Sequence, residues 1–324
     1  MEVLDFETIP PGQLAASALT IGNFDGVHLG HRAIIAKVLA HAARLQAPAA
    51  ALTFQPHPRE VIFRGQRVPA ILPFSERARL IAELGVALLV KVNFTPAFAG
   101  RTAADFVSDL VAKFHPGMVV IGHDFRFGQG REGDENFLRQ AGSRLGFSVE
   151  AVPAVEVEGK PVSSSRIRAL IQAGEMRRVR RLLGAPFPLE GEVAPGHGRG
   201  KGLGFATANL RWSAELIPPD GVYAAVAEAE TERFPAVVNI GTNPTFGDQA
   251  VSIEAHLLGF QGELYSRRLR LAFYHRLRGE IKFSSAEALV AQIREDVDRA
   301  KEILRAEAGA GLFAGRASSE GRGP

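Results

Sequence analysis

From residue 19 to residue 152 the chain repeats one pattern: an apolar run of strand length, a turn with glycine or proline, then apolar residues at helical spacing. Strand-like runs at 49–54, 86–92, 118–121 and 148–152 alternate with helical spacing at 74–84, 103–114 and 135–145. Such alternation fits parallel strands joined by helical crossovers, so an α/β domain with helices on both faces of a parallel sheet is expected. Sheets of this kind bind ligands at the carboxyl ends of their strands. Three loops of this sequence fall there.

The first is Gly22-Asn23-Phe24-Asp25-Gly26-Val27-His28-Leu29-Gly30-His31, between the strand end Leu19-Thr20-Ile21 and an amphipathic helix running to about Gln46. A helix N-terminus offers unpaired N–H groups and a positive dipole end, so phosphate is the natural ligand. His28 and His31, three apart, share one side of the first turn and both can donate to phosphate oxygens. Gly30 has no Cβ and lets something flat or bulky approach the backbone. On residue types alone the pair reads equally as surface or capping histidines. A zinc site is disfavoured, since nearby ligands are missing and the chain has no cysteine.

The second and third loops are Gln55-Pro56-His57-Pro58 and Gly122-His123-Asp124-Phe125-Arg126-Phe127-Gly128. Phe125 and Phe127 flank Arg126, offering flat faces and a cation to a phosphorylated ring system, although core phenylalanines around a solvated arginine read the same way. Ser163-Ser164-Ser165-Arg166-Ile167-Arg168 opens a further helix to about Ala173. The serines suit N-caps. Two arginines in a first turn oppose the helix dipole unless an anion neutralises them. The cluster Arg177, Arg178, Arg180 and Arg181 reads as a solvated helix face.

After Gly184 the character of the chain changes. Short runs at 191–193, 221–227, 236–240, 252–258 and 270–273 lack intervening helices, which suggests a small antiparallel barrel. Leu289, Ile293, Val297, Ala300 and Leu304 mark one closing helix. We therefore expect domains at 1–184 and 185–305, with an Ala/Gly/Ser/Arg-rich tail, 306–324, disordered. Gly196 to Gly204 is a glycine-rich loop suited to approaching phosphate, a weak signal alone. Thr207 and Asn209, two apart on an extended segment, are hard oxygen ligands of the kind Mg²⁺ prefers.

At 324 residues and 46% hydrophobic content the chain is long enough for two cores. A net charge of +3 does not demand nucleic acid; nucleotides satisfy it equally. Without cysteine there is no disulfide and no thiol catalysis. No leader or membrane-spanning run is evident, so a soluble cytoplasmic protein is expected, a monomer or weak oligomer with no nucleic-acid or membrane partner.

These motifs together resemble the prokaryotic FAD synthetase family, the bifunctional riboflavin kinase/FMN adenylyltransferases. Gly22 to His31 is similar to its Gly-x-Phe-Asp-Gly-x-His-x-Gly-His signature, 53–58 to Thr-Phe-x-Pro-His-Pro and 122–128 to Gly-x-Asp-Phe-Arg-Phe-Gly. Residues 163–168 resemble Ser-Ser-Thr-x-Ile-Arg with Ser165 for threonine, and 204–209 resemble Gly-Phe-Pro-Thr-Ala-Asn with Ala206 for proline. Asn239 to Gly247 and Glu254 to Leu258 follow in family order. The resemblance implies a Rossmann-like nucleotidyltransferase domain followed by a β-barrel riboflavin kinase domain with a C-terminal helix. It implies that FMN is made from riboflavin and FAD from FMN, with ATP as co-substrate of both steps and Mg²⁺ as cofactor. By the same resemblance His28, His31 and Arg166 are catalytic in adenylyl transfer and Glu254 is the kinase base. ATP falls to Gly22, Phe24, Asp25, Gly30, Ser164, Arg168, Gly196 and Gly204. Phe54, Pro56, His57, Asp124, Phe125, Arg126 and Phe127 fall to the flavin, and Thr207 and Asn209 to the metal. A different adenylyltransferase sharing only the His-x-Gly-His loop, or a non-catalytic flavin-binding regulator, are the competing classes.

Overall fold

The computed structural model describes residues 1–12, 16–63, 67–195, 205–243 and 250–309. The chain folds as two compact units, Met1–Ser164 and Ser165–Pro324.

The first unit is built on β1 (Glu2–Asp5), β2 (Ser17–Ile21), β3 (Ala49–Gln55), β4 (Leu88–Asn93), β5 (Pro116–Gly122) and β6 (Ser148–Val152). They form one sheet in the order β1-β4-β3-β2-β5-β6, parallel at every pairing. Both faces are covered, so the central strands are nearly all apolar, and β2 is buried along its whole length. The helices are α1 (Leu29–Leu45), α2 (Pro58–Ile62), α3 (Phe74–Glu83), α4 (Pro96–Ala99), α5 (Ala103–Phe114) and α6 (Glu135–Leu145). On one face Leu19, Ile21, Leu52 and Val119 meet Phe106 and Leu110 of α5 and Leu138 of α6. On the other, Ala51 and Leu89 meet Ile35 of α1 and Ile81 of α3. From β2 the chain moves outward through β3 and β4, then crosses to β5 on the other side. The strand order thus reverses beside β2, and a crevice opens at the carboxyl ends there. The expected strands and helices are present, and the lead-in before residue 12 contributes one more strand, β1, at the sheet edge. A two-stranded hairpin, β7 (Glu156–Val157) with β8 (Lys160–Pro161), follows the sheet.

The second unit carries α7 (Ser164–Gln172), which begins on the last residue of the first unit, and α8 (Met176–Leu183). A closed antiparallel barrel follows: β9 (Phe187–Ala194), β10 (Ala208–Trp212), β11 (Gly221–Ala229), β12 (Glu232–Asn243), β13 (Ala250–Leu257) and β14 (Arg268–Arg278), in the order β10-β13-β12-β11-β14-β9. Closure removes every exposed strand edge. Tyr223, Phe187 and Phe273 fill it, with Tyr223 edge-on to Phe273 at 5.5 Å between centroids. Helix α9 (Ala286–Ala308) packs Val297, Ala300 and Leu304 on the outside of β11, β12 and β14. Its buried Asp296 takes the Arg278 guanidinium, Nη2 to Oδ2 at 2.8 Å and Nε to Oδ1 at 3.1 Å.

Four expectations differ from the structure. Strand β10 was not expected, because Ala-Asn-Leu-Arg-Trp alternates over only five residues. The closing helix continues to Ala308, past residue 305; residues 310–324, the rest of the expected tail, lie outside the described residues. The units divide at Ser164, ahead of the compositional change at Gly184, since α8 packs on β9 and β14. The arginine cluster is not simply solvated: Arg180 lies 5.0 Å over the Tyr274 ring and pairs with Glu307 of α9.

Candidate active sites

The first loop follows β2 directly. Gly22 N–H donates to Leu52 O at 3.0 Å, holding the loop to β3, and three positive-φ residues, Phe24 (φ 47), Gly26 (φ 85) and Val27 (φ 42), reverse it into α1. His28 is the N-cap of α1: its Nδ1 accepts the backbone N–H of His31 at 3.3 Å. The two imidazoles stack at 3.6 Å between centroids and 15° between planes, with Phe24 edge-on to His31 at 5.3 Å.

This geometry fixes the protons. His28 Nδ1 is an acceptor, so the neutral ring carries its hydrogen on Nε2. His31 Nδ1 is buried with no partner among the described residues, and a buried N–H without an acceptor costs more than an unused lone pair, so its hydrogen also sits on Nε2. Burial, opposed by Asp124, pulls His28 down to about pKa 4. Burial, then His28, then Arg77 push His31 well below its ordinary value. At neutral pH the site therefore presents two uncharged Nε2–H donors at a helix N-terminus.

The expected ATP ligands around this pair divide. Gly22 and Gly30 make room for side chains of the loop itself: a Cβ on Gly22 would lie 3.2 Å from the Phe24 ring, and one on Gly30 would lie 3.2 Å from the His28 ring. The flat group that approaches Gly30 is thus His28. Asp25 is 1% exposed and its carboxylate accepts from Ile71 N–H at 3.0 Å and Leu72 N–H at 3.4 Å. It ties the loop to the segment before α3. Ser164 donates to Asp25 O at 3.0 Å and secures the same loop. Sequence reasoning missed Arg77 of α3, which is 5% exposed and donates to Asn23 O at 2.7 Å and Gln55 Oε1 at 3.0 Å. In the sequence it is one charge among several in an amphipathic helix. Arg166 stands in the first turn of α7, in the second unit, whereas Arg168, expected in the same turn, is the fifth residue of the helix and opens its second turn.

The other two loops lie at the carboxyl ends of β3 and β5, the strands flanking β2. His57 caps α2, its Nδ1 accepting Arg59 N–H at 3.2 Å, and its Nε2 is 3.4 Å from Asn23 Nδ2 in the first loop. Pro56 is half-buried beside it. Phe54 is half-buried, edge-on to Phe94 at 5.5 Å. Phe127 is 8% exposed, a core residue, and Phe125 stacks on it at 5.5 Å and 20° with partial exposure. Asp124 and Arg126 are exposed, Arg126 donating to Phe125 O at 2.9 Å. Of the two flanking phenylalanines, then, Phe125 is the partly exposed one and Phe127 lies under it in the core.

In the barrel, register does the positioning. Glu254 of β13 pairs with Asn209 of β10 on one side and Asn239 of β12 on the other. Residues paired in register share a face. Ile253, Ala255 and Leu257 point inward and are buried, so Glu254 and its partners stand on the outside. Thr207 Oγ1 donates to Glu254 Oε2 at 3.2 Å, and His256 Nδ1 is 2.8 Å from Ala206 O, pinning the segment that carries Thr207. Two motifs far apart in sequence thus meet in one hydrogen bond. Asn239, seen in sequence only as the start of a motif, joins them by register. These are half-exposed hard oxygen donors, the kind of set that holds a hydrated divalent cation. Gly196 and Gly204 lie outside the described residues.

Comparisons with known proteins give the family of each part of the chain. Residues 11–166 match the family model for FAD synthetase, and residues 183–304 that for riboflavin kinase. A bifunctional riboflavin kinase/FMN adenylyltransferase of Pseudomonas fluorescens is 39% identical over 286 residues, covering 88% of this chain and 92% of its own. One from Escherichia coli (strain K12) is 37% identical over 289 residues, with the same coverage of 88% and 92%. A solved structure described as a macrolide-efflux protein from Streptococcus pneumoniae superposes with a TM-score of 0.85 at 28% identity, over 93% of this chain and 99% of that one. Among the described residues no helix is long and apolar enough to cross a membrane.

Proposed function

The chain belongs to the bifunctional riboflavin kinase/FMN adenylyltransferase family, and we propose that its two reactions use two separate sets of side chains, centred on His28 and His31 and on Thr207 and Glu254. The C-terminal part phosphorylates riboflavin to FMN with ATP, and the N-terminal part adenylylates FMN to FAD with release of pyrophosphate.

For adenylylation, an FMN phosphate oxygen attacks the α-phosphorus of ATP and pyrophosphate leaves. Both His28 and His31 donate from Nε2 to phosphate oxygens as charge builds on them, and the N-terminus of α1 adds unpaired N–H groups. Neutral imidazoles suit this role, since they donate without losing a proton. Arg166 and Arg168 are assigned to ATP phosphates by family resemblance. Phe54, Pro56, His57 and the Asp124–Arg126 stretch form the flavin side, with Phe127 as the support under Phe125. Asp25 and Ser164 act by holding the loop.

For phosphorylation, the riboflavin 5′-hydroxyl attacks the γ-phosphorus of ATP and gives its proton to Glu254, a general base within reach of a hydroxyl placed beside Thr207. Thr207 and Asn209 would hold Mg²⁺, which supplies charge neutralisation at the transferring phosphoryl group. Asn239 lies on the other side of Glu254 and orients it. Each donor set is formed within a single chain, which fits a monomer or weak oligomer, and use of ATP fits the cytoplasm.

The observation that carries this reading is the register that sets Asn209 and Asn239 on either side of Glu254, with Thr207 bonded to it, in a unit that does not contain the histidine pair. It is tested by assaying FMN formation from riboflavin and ATP, and FAD formation from supplied FMN and ATP, in His31→Ala and Glu254→Gln. Loss of both activities together in each folded variant would sink the division.

A further inference from the structure

We infer that Arg77 is a positioning residue for FAD formation: its buried guanidinium bridges the His-bearing first loop to the second loop and sets the width of the crevice between them. The proposal rests on the assignment of His28 and His31 to adenylyl transfer.

The geometry is specific to a planar, forked cation. Nη1 donates to the backbone carbonyl of Asn23 at 2.7 Å and Nη2 to the Gln55 side chain at 3.0 Å. Asn23 follows β2 and Gln55 ends β3, so one side chain spans two adjacent strand ends. Thr53 Oγ1 also donates to Asn23 O, at 3.1 Å, which makes that carbonyl the knot of the bridge. The guanidinium lies 5.3 Å from the centroid of the Phe74 ring, and its Nε has no partner among the described residues. A cation this deeply withdrawn from water is costly, and burial lowers its pKa, with Asp25 opposing. Nothing in the hydrophobic packing of α3 requires an arginine at this position. Retaining one is explained if two loop ends must be held at a fixed separation. Lysine has one donor atom and no fork, so it reaches one end or the other.

Arg77 also acts on the imidazoles through space. The charged or titratable groups around the pair are His28 and His31 themselves, Arg77, Asp25 and Asp124. Of these, Arg77 is the cation that acts on His31, and it favours the neutral ring. Removing it lets His31 hold a proton at higher pH.

The test uses the full chain, with FAD formation from FMN and ATP normalised to the riboflavin kinase rate of the same preparation. Arg77→Met is expected to lower kcat/KM by roughly 10²-fold. It should also move the acid limb of the pH profile upward. Arg77→Lys keeps the charge, so its acid limb stays in place while its rate falls between the two. Gln55→Leu cuts one end of the bridge without emptying a buried site, and should lower kcat/KM by about tenfold with no displacement of the limb. Gln55→Leu within twofold of the parent overturns the bridge, and so does Arg77→Met within twofold; an unmoved limb in Arg77→Met overturns its through-space effect on His31. Should Arg77→Met prove too unstable to assay, Gln55→Leu decides alone. If His28→Ala and His31→Ala leave FAD formation intact, the site assignment has failed rather than the bridge.

Discussion

In the first unit the donors stand on a loop and a helix end, withdrawn from water and uncharged at neutral pH. Thr207, Asn209 and Glu254 of the second unit stand half-exposed on paired strands. The difference is one of what fixes geometry. Strand pairing fixes a side chain's face and neighbour at every position, so the barrel needs no special residues beneath its reactive row. A loop has no such lattice, and the first unit supplies anchors instead: Asp25 on Ile71 and Leu72, Ser164 on Asp25, Arg77 on Asn23 and Gln55. Chemistry on a loop is wired into the core below it, whereas chemistry on the barrel wall is separable from the barrel interior.

The sharpest way to break this comparison is to cut each set of donors. His28→Ala or His31→Ala removes a donor from a desolvated phosphate site, so FAD formation should fall by on the order of 10²–10³-fold while FMN formation stays nearly unchanged. Equal loss of both products in a folded protein would show that the units are not separate. The barrel counterpart is Glu254→Gln, which keeps size and hydrogen bonding but removes basicity. Riboflavin phosphorylation should slow by roughly 10²-fold, with adenylylation of supplied FMN persisting. Near-normal phosphorylation across pH would remove Glu254 as the base.

A smaller effect separates buried from exposed donors by pH. The native pKa of His28, about 4, lies below its ordinary 6.5, so on acidification the unfolded chain takes up the proton first. That stability is therefore complete above pH 6.5 and falls as pH drops towards 4, by up to roughly 3 kcal/mol for this one group. Denaturant unfolding of the first unit, followed between pH 7 and 4.5, should show a steeper decline in the parent than in His28→Asn. Identical slopes would mean that His28 is not held neutral. The smallest effect is expected at Ala206. Proline there fixes φ near −65° ahead of Thr207 and keeps the carbonyl that meets His256, so the KM for ATP in the kinase step should be unchanged or slightly lower. A large loss of kinase activity would show that the backbone needs freedom at this point.

Much of this was legible because both folds announce themselves by period. Alternating apolar runs located β2 to β6 and placed three loops at strand ends, and the strand carrying Val251, Ile253, Ala255 and Leu257 gave away the outward face of Glu254. What escaped has no period. Strand β1 is four residues at a sheet edge, with Val3 exposed, and only pairing with β4 makes it a strand. Gly30 looked like room for a flat or bulky group, and the ring that comes closest to it is His28 of its own loop. Asp25 lies in the signature stretch yet works inward. Arg77 is set apart from Arg79 two positions on only by burial: Arg79 pairs with Glu76 and Glu83 at the surface, and no local signal distinguishes them.

The closed barrel also dictates an order of assembly. Strands β11 and β12 are joined by the two-residue turn Glu230-Thr231 and pair over nine successive positions, so they can form early from neighbouring chain. Strand β9 must find β14 across everything between Ala194 and Arg268, and that pairing shuts the ring. The hairpin is thus the natural nucleus and closure the late, slow event. Glu230 occupies the left-handed region at φ 55, where a side chain is strained. Glu230→Gly should accordingly speed refolding of the barrel more than it slows unfolding, whereas a lesion in the β9–β14 seam should mainly hasten unfolding.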